Sequence, residues 1–422
     1  MKISNTSIYS SYRDSEFEHT DNIPSHWIVK RVKDELLSLD YKRIPLSGEI
    51  REKMTDQIYD YYGASGIIDK VENYIFDETT ILIGEDGANL LNRSTPLAFI
   101  ATGKYWVNNH AHILKPRRGN INYFCYLLES LDYTTLISGS AQPKLTAGQL
   151  NRVLILVPSL QEQKAIADYL DSKTAQIDRQ IDLLKQKADQ YSQLKQSLIN
   201  ETVTRGLDKS VPMKDSGVEW IGEVPEHWET CRIADVAIPN KLKNTGLTEK
   251  NLLSLSYGQI IRKDFDTSFG LLPESFETYQ IVKEGTIILR LTDLQNDQKS
   301  LRVGLARERG IITAAYLGLS FSRRVNPIFA YYLLNTYDLC KVFYWFGGGL
   351  RSTMRFDDVK IIPFMLPPIE EQVEIANYLD AKTVHISNII ITINKQIENL
   401  KEFRKTLISD VVTGKIKVTE EV

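Results

Sequence analysis

From Leu160 to Thr204 the chain has no proline or glycine, and its apolar residues recur in alternating steps of four and three. Leu170, Thr174, Ile177, Ile181, Leu184, Ala188, Tyr191, Lys195 and Leu198 fall on one stripe. At an offset of 209 (379 − 170) the stripe returns as Leu379, Thr383, Ile386, Ile390, Ile393, Ile397, Leu400, Arg404 and Leu407. A stripe this narrow is the seam of a coiled coil, because a helix forming the wall of a globular core carries a wider apolar face. Each stretch predicts a helix of about 45 residues, roughly 65–70 Å long. Two like helices in one chain bury matching seams best about a two-fold axis, so they are expected to pair antiparallel with each other.

The repeat extends beyond the seams. Ten of the sixteen positions in EQKAIADYLDSKTAQI, from Glu162 to Ile177, are identical in EQVEIANYLDAKTVHI, from Glu371 to Ile386. Ordinary composition would give about one such match. Pro24-x-His26-Trp27 recurs as Pro225-x-His227-Trp228 at an offset of 201 (225 − 24). Between each Trp and each long helix lies a mixed segment with short β-rich runs, Gly-marked turns and a helix. The segments share a faint framework, with Thr80-Ile81-Leu82-Ile83 facing Thr286-Ile287-Ile288-Leu289, while most other residues differ. The expected fold is α+β: two α/β domains separated by two long helices, with pseudo-two-fold symmetry. The expected boundaries are 1–157 for the first domain with its N-terminal arm, 158–208 for the first helix and linker, 209–366 for the second domain, and 367–422 for the second helix and tail.

Composition narrows the function by exclusion. With 51 Lys and Arg against 54 Asp and Glu, the net charge of −3 argues against uniform attraction to nucleic acid, so a DNA site has to be a local patch. Cys125, Cys231 and Cys340 form no C-x-x-C motif and suit a reducing compartment. The N-terminus lacks an apolar signal core, and no run approaches the roughly 18 apolar residues of a membrane span, so a cytoplasmic protein is expected.

Catalytic motifs do not assemble. Asn326-Pro327-Ile328-Phe329 has the outline of a base-binding element of amino-methyltransferases, but Asn followed by Pro is also an ordinary helix start. His110-Ala111-His112 could offer two imidazoles to a metal but has no third ligand at suitable spacing. No Walker A loop is present. The sequence predicts no enzyme, no catalytic residue, no metal site and no cofactor in this chain.

Basic residues collect in the two variable segments, interleaved with Gly, Tyr and Asn, the mixture used for phosphate and base-edge contacts. The candidate DNA-binding residues are Arg93, Lys104, Arg117 and Arg118 in the first segment. In the second they are Arg262, Lys263, Arg302, Arg307, Arg309, Arg323, Arg324, Arg351 and Arg355.

The order of these parts, with E-Q-x-x-I-A-x-Y-L-D and P-x-H-W each present twice, resembles the specificity subunit of a type I DNA restriction–modification system. The resemblance spans nearly the whole chain. It implies target-recognition domains that each read one half of a split sequence in double-stranded DNA, and a coiled coil that spaces them and docks two modification (methyltransferase) subunits. Methylation, ATP hydrolysis and cleavage would then reside in partner chains, including restriction/translocase subunits, which would bring S-adenosylmethionine, ATP and Mg. Two other readings stay open on the residues: a stand-alone or phase-variable DNA-binding specificity chain, and a coiled-coil adaptor that binds proteins and no nucleic acid.

Overall fold

The structure is a computed structural model that describes residues 6–15, 20–137, 143–263, 275–292, 294, 301–345 and 353–418. The chain divides into two compact units, Met1–Lys185 with Lys395–Val422, and Gln186–Asn394. The cuts fall inside the long helices, so each unit holds one of the two α/β domains and a stretch of both helices.

In the first unit a four-stranded antiparallel sheet runs in the order Ala98–Ala101, Thr80–Gly84, Ala111–Pro116, Leu36–Ser38. Thr80–Gly84 is buried at every position, as a continuous apolar run bounded by turns predicts. Helix α1 (Ile121–Ser130) packs on this sheet and starts where the Asn120 side chain accepts the Tyr123 backbone N–H. A second four-stranded sheet carries Tyr59–Gly63 and Lys104–Val107 side by side in parallel. Leu154–Val157 then leads through Pro158 into helix α2 (Leu160–Arg205).

The second unit repeats the plan. Its sheet runs Val303–Leu305, Ile287–Leu289, Leu317–Phe321, Ala237–Pro239. The equivalence is residue by residue at the first strand's exit: the Leu39 N–H donates to Ile113 O at 2.8 Å and the Asn240 N–H to Gly318 O at 2.7 Å. Helix α3 (Pro327–Leu339) is mostly buried and begins at Asn326, whose side chain accepts the Ile328 and Phe329 N–H groups, with Pro327 in the first turn. The Asn-Pro element is therefore a helix start and is fully used as one. Pro363–Leu366 leads into helix α4 (Ile369–Val412).

The two long helices form an antiparallel coiled coil. Arg404 Nε meets Asp178 Oδ1 at 3.0 Å in the first unit, and Lys195 Nζ donates to Ser387 Oγ at 2.9 Å in the second. Moving 17 residues forward on α2 (195 − 178) moves 17 back on α4 (404 − 387). Ile177, Ile181, Ile386, Ile393, Ile397 and Leu407 are buried, and Leu184, Ala188, Tyr191, Leu198, Ile390 and Leu400 are half-buried. Leu170 and Leu379 lie deeper still, because each also belongs to the core beneath its own domain. The two basic seam residues do not break the stripe: each has a polar partner on the facing helix, a device that costs stability and fixes register. Burial pulls the Lys195 ammonium pKa below the usual lysine range.

Candidate nucleic-acid interface

The doubled motifs hold each unit together. Trp27 is buried, its indole Nε1 donates to Glu162 Oε1 at 3.2 Å, and His26 Nε2 lies 2.9 Å from the same oxygen. In the second unit, Trp228 Nε1 donates to Glu371 at 3.1 Å and His227 Nε2 lies 2.8 Å from it. Gln163 completes the joint: its Oε1 accepts the Asn120 N–H at 3.0 Å while its Nε2 donates to Pro158 O at 3.0 Å. Gln372 does the same with the Asn326 N–H at 2.8 Å and Pro367 O at 2.8 Å. The Glu-Gln pair thus ties the first turn of a long helix to the P-x-H-W segment and to the start of α1 or α3. Burial alone would raise the Glu162 pKa, but hydrogen bonds from His26, Ser159 and Trp27 outweigh it and hold the carboxyl below its usual range.

The far end of each long helix closes the same joint. Gly206, at φ +72°, leaves a would-be Cβ 2.9 Å from Glu371 Oε1 and 3.4 Å from the Trp228 ring. Gly414, at φ +76°, leaves one 2.5 Å from Pro24 Cδ. Only glycine fits both the left-handed backbone and the close approach. Just beyond Gly414, Lys417–Val418 pairs antiparallel with Thr6–Ser7.

The sequence-selected cations separate into three groups. Arg302 is a correction: it is fully buried, its guanidinium donating to Arg290 O at 3.0 Å, Thr292 O at 2.9 Å and Tyr344 Oη at 3.1 Å. A side chain enclosed in this way braces backbone carbonyls and cannot reach DNA without unfolding its surroundings. Arg93 is also committed to the fold, bonding to Glu129 O and Leu131 O with its guanidinium 5.6 Å from the Tyr133 ring centre. A second group is exposed but paired with acids: Arg262 with Glu308 (Nε–Oε1 2.6 Å), Arg307 with Asp380 (3.7 Å), Arg309 with Glu249 (2.9 Å) and Arg324 with Glu229 (2.5 Å). Lys104 sits 4.7 Å from the Tyr74 ring centre. Exposed and without an ion pair among the described residues are Arg117, Arg118, Lys263, Arg323 and Arg355. Arg351 lies outside the described residues.

One place in the fold differs sharply between the domains. It lies where the first sheet strand exits, beside the loop preceding Ala111–Pro116 or Leu317–Phe321 and the loop preceding a short helix. In the first unit a polar network fills it. Buried His112 lies 2.6 Å from Asp40 Oδ2 and 2.8 Å from Leu145 O. Arg43 pairs with Glu85, Lys144 reaches Glu85 at 3.1 Å, and His110 lies 2.8 Å from Asp86. Burial tends to raise both the Asp40 and the Glu85 pKa. Hydrogen bonds and charge from His112 for Asp40, and from Arg43, His112 and Lys144 for Glu85, more than offset this and leave both lowered. The two histidines of the His-Ala-His motif therefore serve separate carboxylates. Among the described residues no cluster of His, Cys, Asp or Glu could hold a metal ion.

In the second unit the same place is an open cavity of about 270 Å³, rimmed by Lys241, Lys243 and Arg355 and floored by Gln280, Leu317 and Phe356. None of the described residues lining it is acidic. The sequence reading passed over Lys241 and Lys243. The signal that could have found them is their position just after the first sheet strand, opposite Asp40 to Lys42 of the first domain.

Burial pushes the Cys125 thiol up to about 12 and the Cys231 thiol up to about 11 and raises the Cys340 thiol as well, which disfavours the reactive thiolate at all three. No helix among the described residues is long and apolar enough to cross a membrane.

The joints thus repeat in detail between the two units, while the loop cluster beside the sheet differs. The family described as the type I restriction modification DNA specificity domain matches residues 24–190 and again 225–399. A putative type I restriction enzyme specificity subunit of Haemophilus influenzae is 26% identical over 344 residues, 76% of this chain and 79% of that one. The type I restriction enzyme MjaVIII specificity subunit of Methanocaldococcus jannaschii is 23% identical across 97% of this chain and 98% of its own. A chain from a structure addressing complex assembly and conformational transition of a type I restriction–modification system aligns with a TM-score of 0.65 at 14% identity, covering 93% of this chain and 99% of that one. The chain belongs to the family of type I restriction–modification specificity subunits, the non-catalytic subunits that recognise the DNA target.

Proposed function

We propose that this subunit directs a modification complex to a bipartite, non-palindromic duplex target. Each recognition domain reads one half-site in the major groove, and the coiled coil sets an unspecified gap that brings the half-sites about one helical turn apart, roughly 34–36 Å. Two copies of one methyltransferase subunit, carrying S-adenosylmethionine, dock on the repeated helices. ATP and Mg are used by restriction subunits where these join. The buried tryptophans of the P-x-H-W segments are committed to the glutamate joint, so the helices rather than those rings carry the docking surface.

The observation that carries this reading is the contrast between the joints and the loops. The Trp–Glu and Gln–backbone bonds are the same in both units, whereas the loop cluster beside the sheet holds a His–carboxylate network in one and a basic cavity in the other. Equal frames with unlike readers suit two unlike half-sites. The test is methylome sequencing of the host with and without the gene. One methylated motif with two different half-sites and a fixed gap is expected to vanish on deletion; a palindromic or ungapped motif, or no change, overturns the reading.

A further inference from the structure

The cavity beside Lys241 in the second domain gathers basic side chains. Among the described residues its lining includes two lysines and one arginine and no carboxylate. Lys241, Lys243 and Arg355 are all exposed, and none forms an ion pair among the described residues. The acids nearest in sequence to the three cations have other partners: Asp358 Oδ2 accepts the Arg355 backbone N–H at 2.8 Å, Asp357 pairs with Lys360 at 2.7 Å, Asp235 accepts the Arg232 N–H at 2.8 Å, and Glu249 meets Arg309 at 2.9 Å. Four other candidate arginines of the second segment differ on this point, since Arg262, Arg307, Arg309 and Arg324 each face a carboxylate.

The floor of the cavity is chemically spent. Asn240 Nδ2 donates to Gln280 Oε1 at 3.1 Å and to Ile281 O at 2.8 Å, and Gln280 Nε2 donates to Thr313 O at 3.1 Å and Tyr316 O at 2.6 Å. With the amides tied to the backbone, the side chains left to meet a ligand are the three cations and the hydroxyls of Thr278 and Tyr316. Three cations, with no carboxylate among the described lining residues, suit the phosphate backbone, which takes most protein–DNA hydrogen bonds. The volume, about 270 Å³, is at or below the range of roughly 300–1,000 Å³ usual for small-molecule sites, and the cavity opens to the surface.

We propose that Lys241, Lys243 and Arg355 grip the DNA backbone for the second recognition domain, an inference that rests on the DNA-recognition reading above. The first domain does not use the equivalent place in this way. There Asp40, Glu85 and Asp86 outnumber Arg43 and Lys144, and the histidines are bound to carboxylates.

The test is the salt dependence of binding by the full-length chain, using a duplex that carries the motif found by methylome sequencing and a scrambled duplex. Lys241→Ala, Lys243→Ala and Arg355→Ala are each expected to weaken binding to both duplexes and to flatten the plot of log affinity against log salt by about 0.9. Lys283→Ala, an exposed lysine of the same domain away from the cavity, is expected to leave the slope unchanged. Wild-type binding with unaltered slopes in all three variants overturns the proposal while the DNA-recognition reading stands. A loss confined to one base position, with the slope intact, also overturns it, because the residue would then be a base reader. If the wild-type chain binds neither duplex at low salt, both the reading and the proposal fail.

Discussion

Arg302 and Arg323 are both arginines of the second domain, yet the fold gives them opposite uses. The first lies wholly inside, satisfying two carbonyls and a phenol, and the second stands in solvent. Composition could show that basic residues accumulate here. It could not sort them, because burial and ion pairing depend on partners dozens of residues away, such as Asp338 and Tyr344 for Arg302. Arg302→Ala is expected to act on stability: it leaves the Arg290 and Thr292 carbonyls without their donor, at a cost of about 2–4 kcal/mol. Thermal denaturation of the variant should show a lowered midpoint. A variant that melts like wild type but binds DNA less tightly would return Arg302 to the interface. The same limit applied to Glu162 and Glu371. Their repetition was plain in the sequence, but their bonds to tryptophans 135 and 143 residues away were not.

At the scale of elements, the long helices were the most legible part of the chain. Their seam is a local, periodic signal, and every stripe position from Leu170 to Leu198 and from Leu379 to Leu407 is buried or half-buried. The sheets were legible only as isolated runs. Which strand pairs with which is a non-local matter, and the shared order of the two domains emerges only from the register of Thr80–Gly84 and Ile287–Leu289 with their neighbours. On the proposed reading the helices act as a ruler, and a ruler can be recut. Removing one heptad from both helices, at facing positions, shortens the axis by about 10 Å, equivalent to roughly three base pairs. Methylome sequencing should then show the same two half-sites with a shorter gap. Altered bases within a half-site, with the gap unchanged, would refute the ruler.

At the scale of the whole molecule, the second unit joins the end of α2 to its Trp228 segment by a covalent run, Leu207–Pro212, that follows Gly206. The first unit bridges the matching stretch with a strand pair, Thr6–Ser7 against Lys417–Val418, which follows Gly414. The two connections lead to matching joints, one through peptide bonds and the other through hydrogen bonds. If the two connections are interchangeable, closing the strand pair covalently and opening the Leu207–Pro212 run should leave both joints intact. A circular permutant, with Val418 linked to Thr6 through a short Gly-Ser bridge and the chain reopened between Asp208 and Ser210, should fold and melt within a few degrees of the parent. Its methylated motif should be the same two half-sites read by the same two domains, although their order of synthesis is reversed. A permutant that fails to fold would show that the two connections are not interchangeable.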